Sequence, residues 1–125
     1  MAIKHLSLTR GNSDTYTVTF NQSNGRPYCI KNWVVFFTVK ANHSLPDADA
    51  AFQKIITSFS DSTAGTTGVA VIPISPTDTA NLEPREYDWD IKVRTAANES
   101  FTVIKGKLEL EYDVTRTAGT AGTVA

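Results

Sequence analysis

The stretch Tyr87-Asp88-Trp89-Asp90-Ile91-Lys92-Val93-Arg94 decides the fold class. Tyr87, Trp89, Ile91 and Val93 fall on one face of an extended chain, and every residue between them is charged. A period of two with one apolar and one charged face marks a strand that packs one side on a core and turns the other to water. The same rhythm recurs outward from this segment, from His5 to Val114, in short runs divided by turn-forming clusters. It predicts an all-β domain of seven to eight strands in two layers, an antiparallel β-sandwich.

Toward the amino terminus, residues 4–9 and 15–21 read as strands separated by Arg10-Gly11-Asn12-Ser13, with Tyr16, Val18 and Phe20 turned inward. These two strands are expected to be neighbours. Asn24-Gly25 tolerates the positive φ angles of a tight reversal. Residues 33–40 carry apolar side chains on both faces, Trp33, Val35, Phe37 and Val39 against Val34 and Phe36, which places this strand centrally or against another subunit. Residues 42–51 predict a loop with at most one helical turn, because Leu45-Pro46 interrupts any strand. Residues 52–59 and 68–75 are expected to pair as a hairpin. Ser75-Pro76-Thr77-Asp78 pairs a cap residue with proline at the first helical position, so one short helix is predicted over 77–82. Residues 100–105 and 107–113 complete the set. Residues 114–125, in which Thr-Ala-Gly occurs twice, have no large anchor after Val114 and Arg116 and are expected to be a tail ordered by a partner. The chain therefore divides into a sandwich, 1–113, and a tail, 114–125.

Composition narrows the use of such a scaffold. The 125 residues are 41% hydrophobic, enough for one core and too few for two ordinary domains. The longest apolar run, Trp33-Val34-Val35-Phe36-Phe37, is far below the ~20 residues that span a bilayer. No membrane insertion is expected, and Met1-Ala2-Ile3-Lys4-His5 lacks the apolar core of a signal peptide, so synthesis in a cytoplasm is expected. A net charge of -1 gives no field that would draw the whole molecule to nucleic acid. The single Cys29 cannot close an intramolecular disulfide and is expected to be a small buried hydrophobe.

The inventory for catalysis is thin. His5 and His43, the only histidines, lie in different segments without HxxxH or HxH spacing, and no second cysteine joins Cys29 as a soft ligand. Asp88 and Asp90 share a strand face about 7 Å apart, but Lys92 and Arg94 continue that face, so a solvated stripe of ion pairs is the expected reading. Asp47, Asp49, Asp61 and Asp78 have no calcium-loop spacing, and turn or cap chemistry accounts for each. No nucleophile elbow, phosphate loop or dinucleotide fingerprint occurs. No catalytic residue, metal ligand or cofactor is expected.

The ordered set Leu8-Thr9-Arg10-Gly11-Asn12-Ser13, Tyr16-Thr17-Val18-Thr19-Phe20, Phe36-Phe37-Thr38-Val39-Lys40, Asp47-Ala48-Asp49-Ala50 and Gln53-Lys54 resembles immunoglobulin-like virion proteins of tailed bacteriophages. The likeness continues through Gly68-Val69-Ala70-Val71-Ile72-Pro73-Ile74, Ser75-Pro76-Thr77-Asp78-Thr79-Ala80-Asn81-Leu82 and Tyr87 to Val93, and covers roughly residues 7–113. The nearest type is the N-terminal domain of upper baseplate proteins. The resemblance implies a structural module of the virion, in the tail, baseplate or fibre attachment, working as a homo-oligomer such as a trimer and with other virion proteins. Because the sequence stops soon after the domain, a free-standing tail protein is compatible with the resemblance, and a capsid decoration protein on the head surface is an alternative expectation. A carbohydrate-binding or host-adhesion module is the alternative, with Trp33, Tyr28, Trp89 and Tyr112 as candidate aromatics for a glycan.

The expected assembly interface combines Trp33, Val35 and Phe37 of the two-faced strand with Thr115, Arg116 and Thr117 of the tail. Small side chains there allow close backbone approach and hydrogen bonding to a neighbour's sheet edge. Deletion after Asp113 is expected to leave a folded domain with weakened assembly; unchanged oligomer mass and unchanged particle incorporation would refute a role for the tail.

Overall fold

The computed structural model describes residues 2–57 and 68–114. Eight strands, one 3-10 turn at Asp47–Asp49 and one short helix form an immunoglobulin-like all-β sandwich. The larger sheet is ordered β1 (Ala2–Ile3), β8 (Ser100–Glu111), β7 (Glu86–Arg94), β4 (Val34–Lys40), β5 (Phe52–Ile56), and β2 (Leu6–Thr9) also pairs with β8. The smaller sheet has two strands, β3 (Asp14–Thr19) and β6 (Val69–Ile74). The helix α1 (Pro76–Thr79) starts where Ser75-Pro76 predicts it, with the Asp78 carboxylate accepting from the Ser75 backbone N–H at 2.8 Å, but it ends before residue 82.

Three expectations about pairing are corrected. The first two strands are not neighbours: β1 and β2 run parallel to β8, whereas β3 crosses to the other sheet and pairs with β6. The segment 68–75 is not the hairpin partner of β5; β6 takes β3, and β5 takes β4. The two final strands are a single one, β8, whose pairing with β7 shifts by one residue beside Ile91. Strand propensity locates extended segments but leaves the partner to the fit of apolar faces across the sandwich.

The alternation in β7 is realised as read. Tyr87, Trp89, Ile91 and Val93 are buried, and the charged residues between them line the opposite face. Trp89 stacks on Phe37 with ring centroids 5.5 Å apart, and Tyr16 of the smaller sheet meets Trp89 edge-on at 5.8 Å. Such pairs add about 0.5–1.5 kcal/mol beyond burial. Tyr87 donates its hydroxyl to the Glu83 carbonyl at 2.7 Å, tying the start of β7 to the loop before it. This is the tyrosine corner of immunoglobulin-like sandwiches, and Trp89 stands two residues on, where antibody domains place a disulfide cysteine.

The ends of the sandwich differ. At the near end, Arg10 is almost buried and its Nε donates to Asp113 at 2.8 Å while Nη1 donates to the Leu82 carbonyl at 3.3 Å. This clamp joins the end of β2 to the exit of β8. Cys29 is exposed, contrary to the expectation of burial, because the neighbouring Ile30 takes the core position with no exposed surface.

Gly106 lets the link between β1 and β2 run close beside β8. A Cβ there would lie 1.9 Å from the Lys4 carbonyl oxygen and 2.8 Å from its carbon, both backbone atoms. Gly106→Ala is expected to push the N-terminal strand off β8 and to destabilise the domain by about 1–3 kcal/mol in urea unfolding; an unchanged midpoint and slope would show that the strand is not docked there.

Candidate functional site

Two concavities formed by the described residues differ in chemistry. The first is a shallow groove on the outer face of the larger sheet, lined by the polar sides of β4, β7 and β8. The strand period that buries Trp89 sends Asp88, Asp90 and Lys92 here. Lys107 pairs with Asp88, which also accepts from the His43 backbone N–H at 2.8 Å, and Lys40 pairs with Asp47 at 2.8 Å. Burial works to raise the Asp88 pKa, but the Lys107 ammonium and the His43 N–H outweigh it and hold the carboxyl below its ordinary value. Asp90 goes the other way. Burial raises its pKa, partly offset by Lys92 and Lys40, and no described residue hydrogen-bonds its carboxylate.

His5 and His43 both reach this groove, so the fold brings together residues that the sequence holds far apart. They do not converge on a reacting centre: His5 faces Glu109 at 4.0 Å and His43 offers Asp88 its backbone. Among the described residues no three His, Cys, Asp or Glu side chains are placed to share a metal ion. The charges largely satisfy one another, which suits a solvated sheet face.

The second concavity is an apolar cleft of about 630 Å³ at the far end of the sandwich. Val18 of β3, Phe20 just after it, Val93 of β7 and Phe101 and Val103 of β8 line it, with Tyr28 and Trp33 closing one side. Trp33 sits against Phe20 at 5.8 Å and Tyr28 at 5.6 Å, forming an aromatic wall. Tyr28 remains 43% exposed and Phe101 51% exposed. Phe101 pairs with the buried Val93, so it stands on the core side of its sheet and is wet only because nothing described covers that end. Glu99 is the one ionisable carboxylate in the lining.

Ala2 pairs with Ile104, so the β8 edge from Ser100 to Val103 has no partner on that side among the described residues. Phe101 could not be picked out from the sequence. The one-residue shift in β8 that turns it inward depends on the pairing with β7 and leaves no local signature.

The residues expected at an assembly interface separate. Val35 and Phe37 have no exposed surface and belong to the core, so they cannot meet a partner. Trp33 is half-buried at the wall of the cleft. Thr115, Arg116 and Thr117 lie outside the described residues. Of the aromatics considered for a glycan, Trp89 is buried and donates its indole N–H to the Lys107 carbonyl at 3.1 Å, whereas Tyr112 is 71% exposed on the chain leaving β8.

Comparison with known proteins gives little beyond the fold. No family model matches the chain, and no curated protein is significantly similar to it. Among solved structures, one from a study of multimeric cell-adhesive interactions of VGSC beta subunits aligns over 90% of this chain and 93% of that one, with 16% identity and a TM-score of 0.39. At that distance neither partner nor function carries over.

The two groove carboxylates should respond oppositely to neutralisation. The pKa of Asp88 is lowered by folding, so its contribution is present above the ordinary carboxylate range near pH 4 and is lost as pH falls through the folded value. Asp88→Asn should therefore cost about 0.5–1 kcal/mol at pH 7, with the difference from wild type shrinking on acidification. The raised pKa of Asp90 makes its ionised form unfavourable in the fold, so Asp90→Asn should stabilise at pH 7 and lose that advantage in acid. Thermal unfolding between pH 3 and 7 distinguishes the two; equal effects of the same sign would refute the assignment.

Proposed function

We propose that this protein is a non-enzymatic structural module, built to join other protein surfaces, and that it serves in the virion of a tailed bacteriophage at the tail, baseplate or fibre attachment. The observation that carries the joining role is the open far end of the sandwich. There an aromatic cleft lies exposed between strand edges that have no further partner among the described residues. Exposed apolar surface beside an unpaired edge suits a partner that adds backbone hydrogen bonds and fills the cleft. The assignment to a virion rests on the ordered resemblance over residues 7–113. A decoration protein on the capsid surface would use the same features.

An adhesion module is the second reading, favoured by one observation. Tyr28, Trp33 and Phe101 stand together with Asn21, Thr95 and Glu99 at the rim, the mixture of aromatic faces and polar groups that sugars use. It lacks the flat exposed platform of stacked rings, because Trp33 is packed edge-on against Phe20.

Particles purified through a density gradient should contain this chain at a fixed copy number relative to the major capsid protein, measured by quantitative mass spectrometry. Recovery only from the soluble lysate would overturn the virion assignment. Binding to immobilised glycans that is lost in Trp33→Ala, with no incorporation into particles, would favour adhesion instead.

A further inference from the structure

The smaller sheet has an edge that the fold leaves unguarded. In an antiparallel ladder hydrogen-bonded and non-hydrogen-bonded pairs alternate. Phe20 donates its N–H to the Gly68 carbonyl at 2.7 Å, so the even-numbered residues of β3 bond to β6 and the odd-numbered ones point their N–H and C=O groups outward. The register agrees, since Thr15 lies opposite Pro73, a pair that needs no N–H from the proline. The Thr15 N–H is taken by its neighbour, the Asp14 carboxylate, at 2.8 Å. Thr17 and Thr19 are left with outward backbone groups, and among the described residues β3 pairs with no strand other than β6.

Natural edges are blunted by lysine, proline, bulges or cover. On β6, Pro73 removes the N–H that would face outward. Among the described residues β3 has none of these devices: its sequence is Asp-Thr-Tyr-Thr-Val-Thr, and its outer-face side chains, Thr15, Thr17 and Thr19, are uncharged and exposed.

We infer that the β3 edge pairs antiparallel with the β3 edge of a second copy of this chain, joining the two small sheets into one four-stranded sheet across a two-fold axis. The inference rests on the reading of the protein as an assembly module and specifies how its copies meet. The strand is complementary to itself. With Thr17 opposite Thr19 of the other copy, both residues exchange N–H and C=O groups with their counterparts, and Val18 lies on the axis. Threonine then faces threonine on the outer side, a favourable cross-strand pair, and Tyr16 faces Phe20 on the inner side. No like charges oppose each other, because Asp14 falls opposite Gln22. A heterologous partner would need its own uncharged, unprotected strand; a second copy already has one.

Thr17→Pro removes an outward N–H while leaving the β3–β6 bonds intact, and Thr17→Lys places a charge beside its own copy at the axis. Light scattering on the full chain should give twice the 13.6 kDa protomer for wild type and the protomer mass for both variants, each with wild-type circular dichroism. Hydrogen exchange should find the Thr17 and Thr19 amides protected in wild type and at least tenfold faster in Thr17→Lys. A monomeric wild type, or an oligomer whose mass survives in a folded Thr17→Lys, would overturn the self-pairing. In the second case assembly itself would stand and use another surface, and particle incorporation remains its separate test.

Discussion

The sandwich depends on the contact of Trp89 with Phe37 and Tyr16. Two sheets that share no disulfide must be held in register by packing alone, and these three rings come from β7, β4 and β3, the strands that face one another at the centre. Trp89 also donates its indole N–H to the Lys107 carbonyl, so the ring is fixed by direction as well as by volume. With that brace set, the even positions of β7 have only one place to go. Asp88, Asp90 and Lys92 become the lining of the outer groove, where Lys107 and the His43 N–H hold the Asp88 carboxyl low while burial raises that of Asp90.

A two-stranded sheet laid over a larger one leaves part of the core side uncovered. At the near end the protein closes the gap with β2 and the Arg10–Asp113 clamp. At the far end the β8 edge from Ser100 to Val103 has no partner beyond β7 among the described residues, and core-side aromatics meet water. Exposed Phe101 and the open β3 edge therefore have a common origin in the unequal size of the two sheets. Features that would be liabilities for a free monomer become useful once a second surface is available to cover them.

The alternation around Trp89 made the fold class legible, and so did the single short helix, because Ser75-Pro76 acts through neighbouring backbone groups. The buried state of Trp89 and the ion-paired character of the Asp88 face were readable for the same local reason. Val35 and Phe37 were misassigned to an interface because the sequence shows that a strand has two apolar faces without showing which the core takes. Cys29 was misplaced by one position: Ile30 fills the core and turns its neighbour out.

The sequence by itself determined where strands lie, which residues alternate, and that no catalytic constellation recurs at a known spacing. These are properties of a few consecutive residues, fixed by the two-residue period of the extended chain and by turn chemistry. Only the tertiary structure decided that β3 leaves β2 for β6 and that a one-residue shift in β8 turns Phe101 toward the core side. Each depends on how distant segments share one interior, and pairing energies along a backbone are nearly the same for many partners until side chains from both sheets are packed together.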